Sequence, residues 1–249
     1  MDARPILRTH RFLGTTSEPI VHGRVWDAPA CRDAWFAHRV ELDDAPEDLD
    51  AAFRTWDHHH AGKGIERRYV CWETDRDVPW AAIPERCAPV RMWGLSRRGR
   101  ADAGPEPALP LHPVEDLDRF GVIAARQHPE YGASYPACVR YQLELFRSLG
   151  ATTWAAWDGE HPVASATVVP GPDRWYRFQE VWTDRAWRRR GLCGALVRRG
   201  LATDPLGVFV VCSVDGSEAL RIYEGEGFER VSRYVECSTP IEDAVRAPA

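Results

Sequence analysis

Residues Val181 to Gly200 read VWTDRAWRRRGLCGALVRRG. A short extended run ends at Thr183. The basic turn Arg188-Arg189-Arg190-Gly191 follows, then a helix in which Leu192, Ala195 and Leu196 share one face by i, i+3, i+4 spacing. Strand, glycine-containing turn and helix start aim several main-chain N–H groups at one spot. The helix N-terminus adds about half a positive charge there. Three arginines add full charges, and Gly191 and Gly194 let a bulky ligand approach the backbone. The arrangement predicts a phosphate-binding turn; read without a ligand, it is only a basic helix start. It is neither a Walker loop nor a dinucleotide fingerprint, because neither GxxxxGK[ST] nor GxGxxG occurs.

The chain has 249 residues and 44% hydrophobic content, enough for one large domain or two small ones with a core. The net charge of -5 gives no global basic field for nucleic acid. Arginines cluster locally instead, and Lys63 is the only lysine. Seven cysteines are scattered, without a CxxC. That usage argues against a disulfide framework or a structural zinc site and for a reducing, cytoplasmic setting. The first residues lack the long apolar run of a signal peptide, and no run approaches the roughly 18 residues of a membrane helix.

Residues 1–18 read as an extended or frayed leader. Strands are expected at 20–26 and at 35–42, and a helix opens at Pro46 with Leu49, Ala52, Phe53 and Trp56 at helical spacing. His58-His59-His60 reads as a solvated helix end, because three consecutive imidazoles cannot all face one ion; no metal site is expected. Strands are expected at 68–73 and 90–95, with a helical turn near Trp80 to Cys87. Residues 96–113 have the Gly, Pro and Arg content of a linker. The division is therefore an N-terminal α/β domain over 1–100, a linker over 101–110, a second domain over 111–240 and a loose tail over 241–249. In the second domain a first strand is expected over 109–114, then a helix over 116–127, and another from Pro136 to a stop at Gly150. Strands follow at 152–157, 163–169 and 175–182, then a buried strand at 208–212. Asp215 with Glu218 reads as a capping box opening a short helix. A last strand covers 229–237.

The basic turn resembles the acyl-CoA pyrophosphate loop of the GCN5-related N-acetyltransferases, Q/R-x-x-G-x-G/A, with Cys193 where that family prefers Gly or Ala. Ala219, Tyr223, Gly227 and Phe228 match the family's closing pattern N-x-x-A-x-x-x-Y-x-x-x-G-F, with Gly216 in place of the Asn. The element order over roughly the last 140 residues agrees with that fold. RFQEVWTDRAWRRRGLCGALV further resembles tandem members that carry a degenerate half in front. The resemblance implies an α/β GNAT fold, a mixed, mostly antiparallel twisted sheet flanked by helices, preceded by a smaller GNAT-like α/β domain.

It also implies acetyl transfer from acetyl-CoA to a primary amine by direct attack in a ternary complex. Val181, Thr183, Arg188, Arg189, Arg190, Gly191, Leu192, Cys193, Gly194 and Ala195 would hold the cofactor. A main-chain N–H near Val181 would hold the oxyanion. Tyr223 matches the tyrosine assigned as acid to the leaving thiolate; the alternative is a packed core tyrosine. For the base, the position used by the histone-type branch is Trp175 here. Glu180 is the only carboxylate in that strand, but alternation points it opposite to Gln179 and Val181 unless a bulge resets the parity. Arg177, Gln179, His128, Glu130 and Tyr131 are the polar groups expected near the acceptor. Cys193 stands at a helix start, where thiol pKa falls, but no partner His or Asp is near in sequence.

The acceptor expected is a small-molecule amine, the protein a monomer or homodimer without nucleic-acid or membrane partners. Two other functions share these features. One is a CoA-binding module without turnover. The other is an aminoacyl-tRNA-dependent peptidyl transferase, which would not need the arginine turn.

Overall fold

The computed structural model describes residues 5–10, 16–29, 35–75, 83, 87, 89–100, 104–125 and 135–241. The first of these form a short helix, α1 (Pro5–His10), then a hairpin of β1 (Thr16–Ile20) and β2 (Gly23–Asp27). The residues expected as a frayed leader thus hold α1 and part of β1. The single strand expected over 20–26 is interrupted by a turn at Val21-His22, where His22 takes a φ of 60°. A 3-10 turn at Trp35–Ala37 shortens the next expected strand to β3 (Arg39–Leu42). α2 (Leu49–His60) begins after Asp48, not at Pro46, because the Asp48 carboxylate accepts the Ala51 N–H at 3.0 Å. β4 (Arg67–Thr74) and β5 (Val90–Arg98) follow. The helical turn expected near Trp80 lies mostly outside the described residues.

The remaining elements come in the order expected from the sequence: β6 (Leu111–Pro113), α3 (Leu117–Ala125), α4 (Tyr135–Ser148), β7 (Thr152–Asp158), β8 (His161–Pro170), β9 (Trp175–Thr183), α5 (Leu192–Leu201), β10 (Val208–Val214), α6 (Glu218–Gly225) and β11 (Glu229–Pro240). α6 is capped by Ser217, which accepts from Leu220 N–H at 3.1 Å. The expected cap, Asp215, instead accepts from the Trp93 indole at 2.8 Å.

Among the described residues the strands form one eleven-stranded sheet in the order β1-β2-β3-β4-β11-β5-β10-β9-β8-β7-β6. The order is close to a palindrome. β1, β2 and β3 form an antiparallel meander, and α2 carries the chain across to β4, parallel to β3. β7, β8 and β9 do the same, with α5 crossing to β10, parallel to β9. A parallel pair needs such a crossover, and a helix supplies it. Each half then gives its last strand to the other. β5 pairs with β10, β11 pairs with β4, and β5 and β11 pair in the middle.

The sheet is covered on both faces. Phe209 and Val211 of β10, Phe178 of β9 and Leu95 of β5 pack with Leu192, Leu196, Leu220 and Tyr223 of α5 and α6. On the same face α2 covers Val70, Trp72, Val235 and Cys237. On the opposite face α3 and α4 cover Ala155, Val169 and Trp182, and α1 covers Tyr69, Cys71, Met92 and Tyr234. β8 is buried along nearly its whole length, consistent with cover on both sides. No helix among the described residues is long and apolar enough to cross a membrane.

Candidate functional site

β9 and β10 pair at only three positions, Val208 with Trp175, Phe209 with Tyr176 and Val210 with Arg177. Beyond these, β9 runs on to Thr183 and β10 to Val214 without pairing to each other, and the sheet opens between them. The cause lies on the other edge of β9. There the register with β8 slips between Ser165–Trp182 and Thr167–Gln179, so Glu180 and Val181 together oppose Ala166. Glu180 takes a φ of 49°, and its carbonyl turns to accept the Ser165 hydroxyl at 2.8 Å. An inserted residue of this kind bends its strand and increases its twist. The side chains record the slip: Arg177 and Trp182 both lie on the α1–α3–α4 face, a spacing of five that unbroken alternation forbids. The bulge weighed from the sequence is present, and simple alternation no longer assigns Glu180 a face.

The basic turn stands at the mouth of this opening. Asp184 accepts the Ala186 N–H at 2.8 Å and tightens the 3-10 turn at Arg185–Trp187. Arg189 and Gly191 then take φ of 61° and 76°. The Gly191 conformation suits glycine, and a Cβ there would meet nothing within 4 Å, so the space above it is open. The first bond of α5 runs from Ala195 N–H to Gly191 carbonyl at 3.0 Å. The amides of Leu192, Cys193 and Gly194 therefore have no intrahelical acceptor. Arg188, Arg189 and Arg190 are exposed. Arg188 rests on the Thr183 carbonyl at 3.3 Å, and Arg190 lies over the Trp187 ring at 4.3 Å. The turn faces solvent, not the front half. Below it, α5 sits close on the sheet because Gly200 presents no side chain; a Cβ there would stand 2.5 Å from the Phe178 ring.

Tyr223 of α6 belongs to the core beneath α5 and β10. It is buried, its ring 5.8 Å from Phe228, and its nearest titratable neighbours are the Cys193 and Cys212 thiols. Burial, then these two groups, hold its pKa well above the ordinary value. Burial and the nearby Glu226 carboxylate push the Cys193 thiol up to about 11, so this thiol is not a ready nucleophile.

The other expected residues separate. The Gln179 amide lies against the Arg177 guanidinium, and with its oxygen assigned to that side it accepts from Arg177 Nε at 2.5 Å. Arg177 is 3% exposed and donates to the Ile6 carbonyl at 3.2 Å and the Thr9 hydroxyl at 2.9 Å, so it holds α1 instead of facing open space. His128, Glu130 and Tyr131 lie outside the described residues. Sequence reasoning missed Glu73. This carboxylate is fully buried, accepts from the Ile6 and Leu7 amides at 3.1 and 2.7 Å and pairs with the Ser232 hydroxyl. Burial raises its pKa to about 7, against these hydrogen bonds and the Arg177 charge, which lower it. The signal was one acid inside the apolar run of β4; its partners lie in α1 and β11, which local pattern does not reveal.

A parallel strand pair opened by a bulge, with a basic turn at the helix start beyond it, defines an α/β fold with an entrance inside its own sheet. Residues 120–228 match the family described as Acetyltransferase (GNAT) family. No curated protein matches the chain. Among solved structures, a functionally unknown conserved protein from Staphylococcus epidermidis ATCC 12228 shares the fold at a TM-score of 0.73 and 8% identity, over 93% of this chain and 96% of that one. A GCN5-related N-acetyltransferase from Kribbella flavida aligns at 0.64 and 17% identity, over 97% of this chain and 96% of that one. A tandem GNAT protein from the clavulanic acid biosynthesis pathway aligns at 0.54 and 11%, over 91% of this chain and 80% of that one. The stretch from Phe120 to Phe228 belongs to the GNAT acetyltransferase family. That family implies acyl-CoA-dependent acetyl transfer.

Proposed function

We propose that this protein transfers an acetyl group from acetyl-CoA to the primary amine of a small molecule, by direct attack while both are bound. The observation that carries the reading is the opening between β9 and β10, with the exposed arginine turn at its mouth; Tyr223 lies in the core beside α5 and β10. Bound acetyl-CoA supplies the acetyl group as a thioester. The free amides of Leu192, Cys193 and Gly194, the open space over Gly191 and the three arginines fit its diphosphate in charge and shape. Ala195 and Leu192 fix the helix that carries those amides, and Val181 and Thr183 line the strand edge beside it.

The acceptor amine must lose a proton before it attacks. Glu180, in the bulge, is our candidate for receiving it. A main-chain N–H near Val181 holds the carbonyl oxygen as charge builds there. Tyr223 keeps its proton at neutral pH and delivers it to the departing sulfur. Gln179 and, from the segment between α3 and α4, His128, Glu130 and Tyr131 are the proposed contacts of the acceptor.

The test is calorimetric titration with acetyl-CoA, followed by thiol release across an amine library with mass identification of the product. We expect uptake of one equivalent and an acetylated small amine. No uptake of acetyl-CoA would overturn the reading. Uptake without turnover on any amine would leave a CoA-binding module.

A further inference from the structure

Asp27, His38 and His60 come from three elements and converge in the front half, away from the opening between β9 and β10. Asp27 ends β2, His38 precedes β3, and His60 ends α2. One donor atom of each lies within 4.8 Å of the others. Asp27 Oδ1 meets His38 Nδ1 at 2.6 Å, and Asp27 Oδ2 meets the Lys63 ammonium at 3.0 Å. His60 is 1% exposed, and neither ring nitrogen has a hydrogen-bond partner among the described residues. Its ring is 4.8 Å from Trp56 and 5.7 Å from His38, edge to face.

An imidazole buried with both nitrogens unmatched is unusual, since an orphaned polar group loses its hydration without a hydrogen bond in return. Such a group asks for an unseen partner. A water molecule is one answer, but the donor set suits another. Two imidazoles and one carboxylate are the ligands that zinc and its neighbours prefer. The C-terminal end of α2 adds its partial negative charge at the same spot. Lys63 contacts the far oxygen of Asp27 and is itself half-exposed, so its ammonium can retreat to solvent when a stronger cation arrives.

We propose that Asp27, His38 and His60 bind one divalent transition-metal ion, zinc above all, which ties the end of β2 and the start of β3 to the end of α2. Ligand atoms on one tetrahedral ion at about 2.0–2.2 Å stand roughly 3.3–3.6 Å apart. Binding therefore opens the His38–Asp27 contact slightly and draws His60 in. Any ligating nitrogen that carries a proton releases it to water. With three protein ligands, the remaining position is left to water. The site is independent of the acetyl-transfer reading, and neither test bears on the other.

The experiment adds cobalt(II) chloride to the chelator-stripped full chain and reads visible d–d absorption, with zinc chloride as competitor. We expect one cobalt per chain, a spectrum of four- or five-coordinate nitrogen and oxygen ligation, and displacement by zinc. His60→Gln and Asp27→Asn should each weaken binding by about tenfold or more, since losing a ligand costs at least as much as losing a group that only orients one. A His58→Ala/His59→Ala double variant should bind as the wild type does. Because a core variant can fail to fold, imidazole nitrogen chemical shifts of the wild type on zinc addition provide the same assignment without mutation; His38 and His60 should move. No cobalt uptake by the wild type, undiminished binding by His60→Gln, or loss of binding in the His58/His59 variant would each overturn the site.

Discussion

Tyr223 is lodged behind α5 and β10, where burial and the Cys193 and Cys212 thiols raise its pKa well above the ordinary value. At neutral pH its hydroxyl is protonated, as the proposed acid must be. Tyr223→Phe should therefore lower kcat by about a hundredfold, the usual contribution of a placed acid, with little change in the dissociation constant of acetyl-CoA. Steady-state kinetics beside calorimetry check this; an unchanged kcat would make Tyr223 a packing residue. Glu73 gives a second residue-scale expectation. Its folded pKa is about 7 against an ordinary 4.5, raised by burial. The stability it contributes is fully present below pH 4.5 and is lost as pH rises to about 7, up to roughly 3 kcal/mol. Glu73→Gln stays uncharged, so the difference in urea midpoint between the two proteins should vary across this window and flatten above it. A constant difference from pH 4.5 to 8 would refute the buried titration. Neither the burial of Glu73 nor that of His60 was legible in the sequence. Each is fixed by groups from other elements, and His60 follows two histidines that do reach the surface or its edge.

The elements were more readable than the residues between them. The arginine turn, α5, the three-strand meander and the Tyr223 helix all announce themselves within windows of about ten residues, through spacing, capping and turn chemistry. α1 did not, because six residues cannot show a helical period and its hydrogen bonds go to Glu73 and Arg177 in distant strands. The bulge in β9 was readable only as an option, since Ser165 on the neighbouring strand decides it. The turn ahead of α5 carries a prediction of its own. Replacing Arg188, Arg189 and Arg190 together by Ala should weaken acetyl-CoA binding by about 10–100-fold, on the low side of charged hydrogen bonding because the turn is exposed. The salt dependence of the affinity should flatten as well. Isothermal titration at two ionic strengths measures both, and an unaltered affinity would place the diphosphate elsewhere.

At the scale of the molecule, the exchange of β5 and β11 decides how the halves relate. Strand order of this kind was not legible, because β5 alternates equally well beside β10 or β4, and only long-range pairing chooses. It does predict an outcome for a cut in the segment near Gly104. Fragments 1–103 and 104–249, made separately, should each be poorly folded, since each lacks a strand that its own half needs. Mixed, they should regain the native circular dichroism spectrum and melt as one unit. Independent folding of either fragment would show the exchange to be dispensable.

Synthesis meets the same interlocking in time. Glu73 must wait for Ser232, which follows it by 159 positions. At about 5–20 residues per second that is roughly 8–30 s on the ribosome. Throughout this interval β4 and β5 offer bare edges, the feature that invites pairing with a stranger. The nascent chain is thus most vulnerable when its first hundred residues are already complete, and its folding is an event of release, not of elongation.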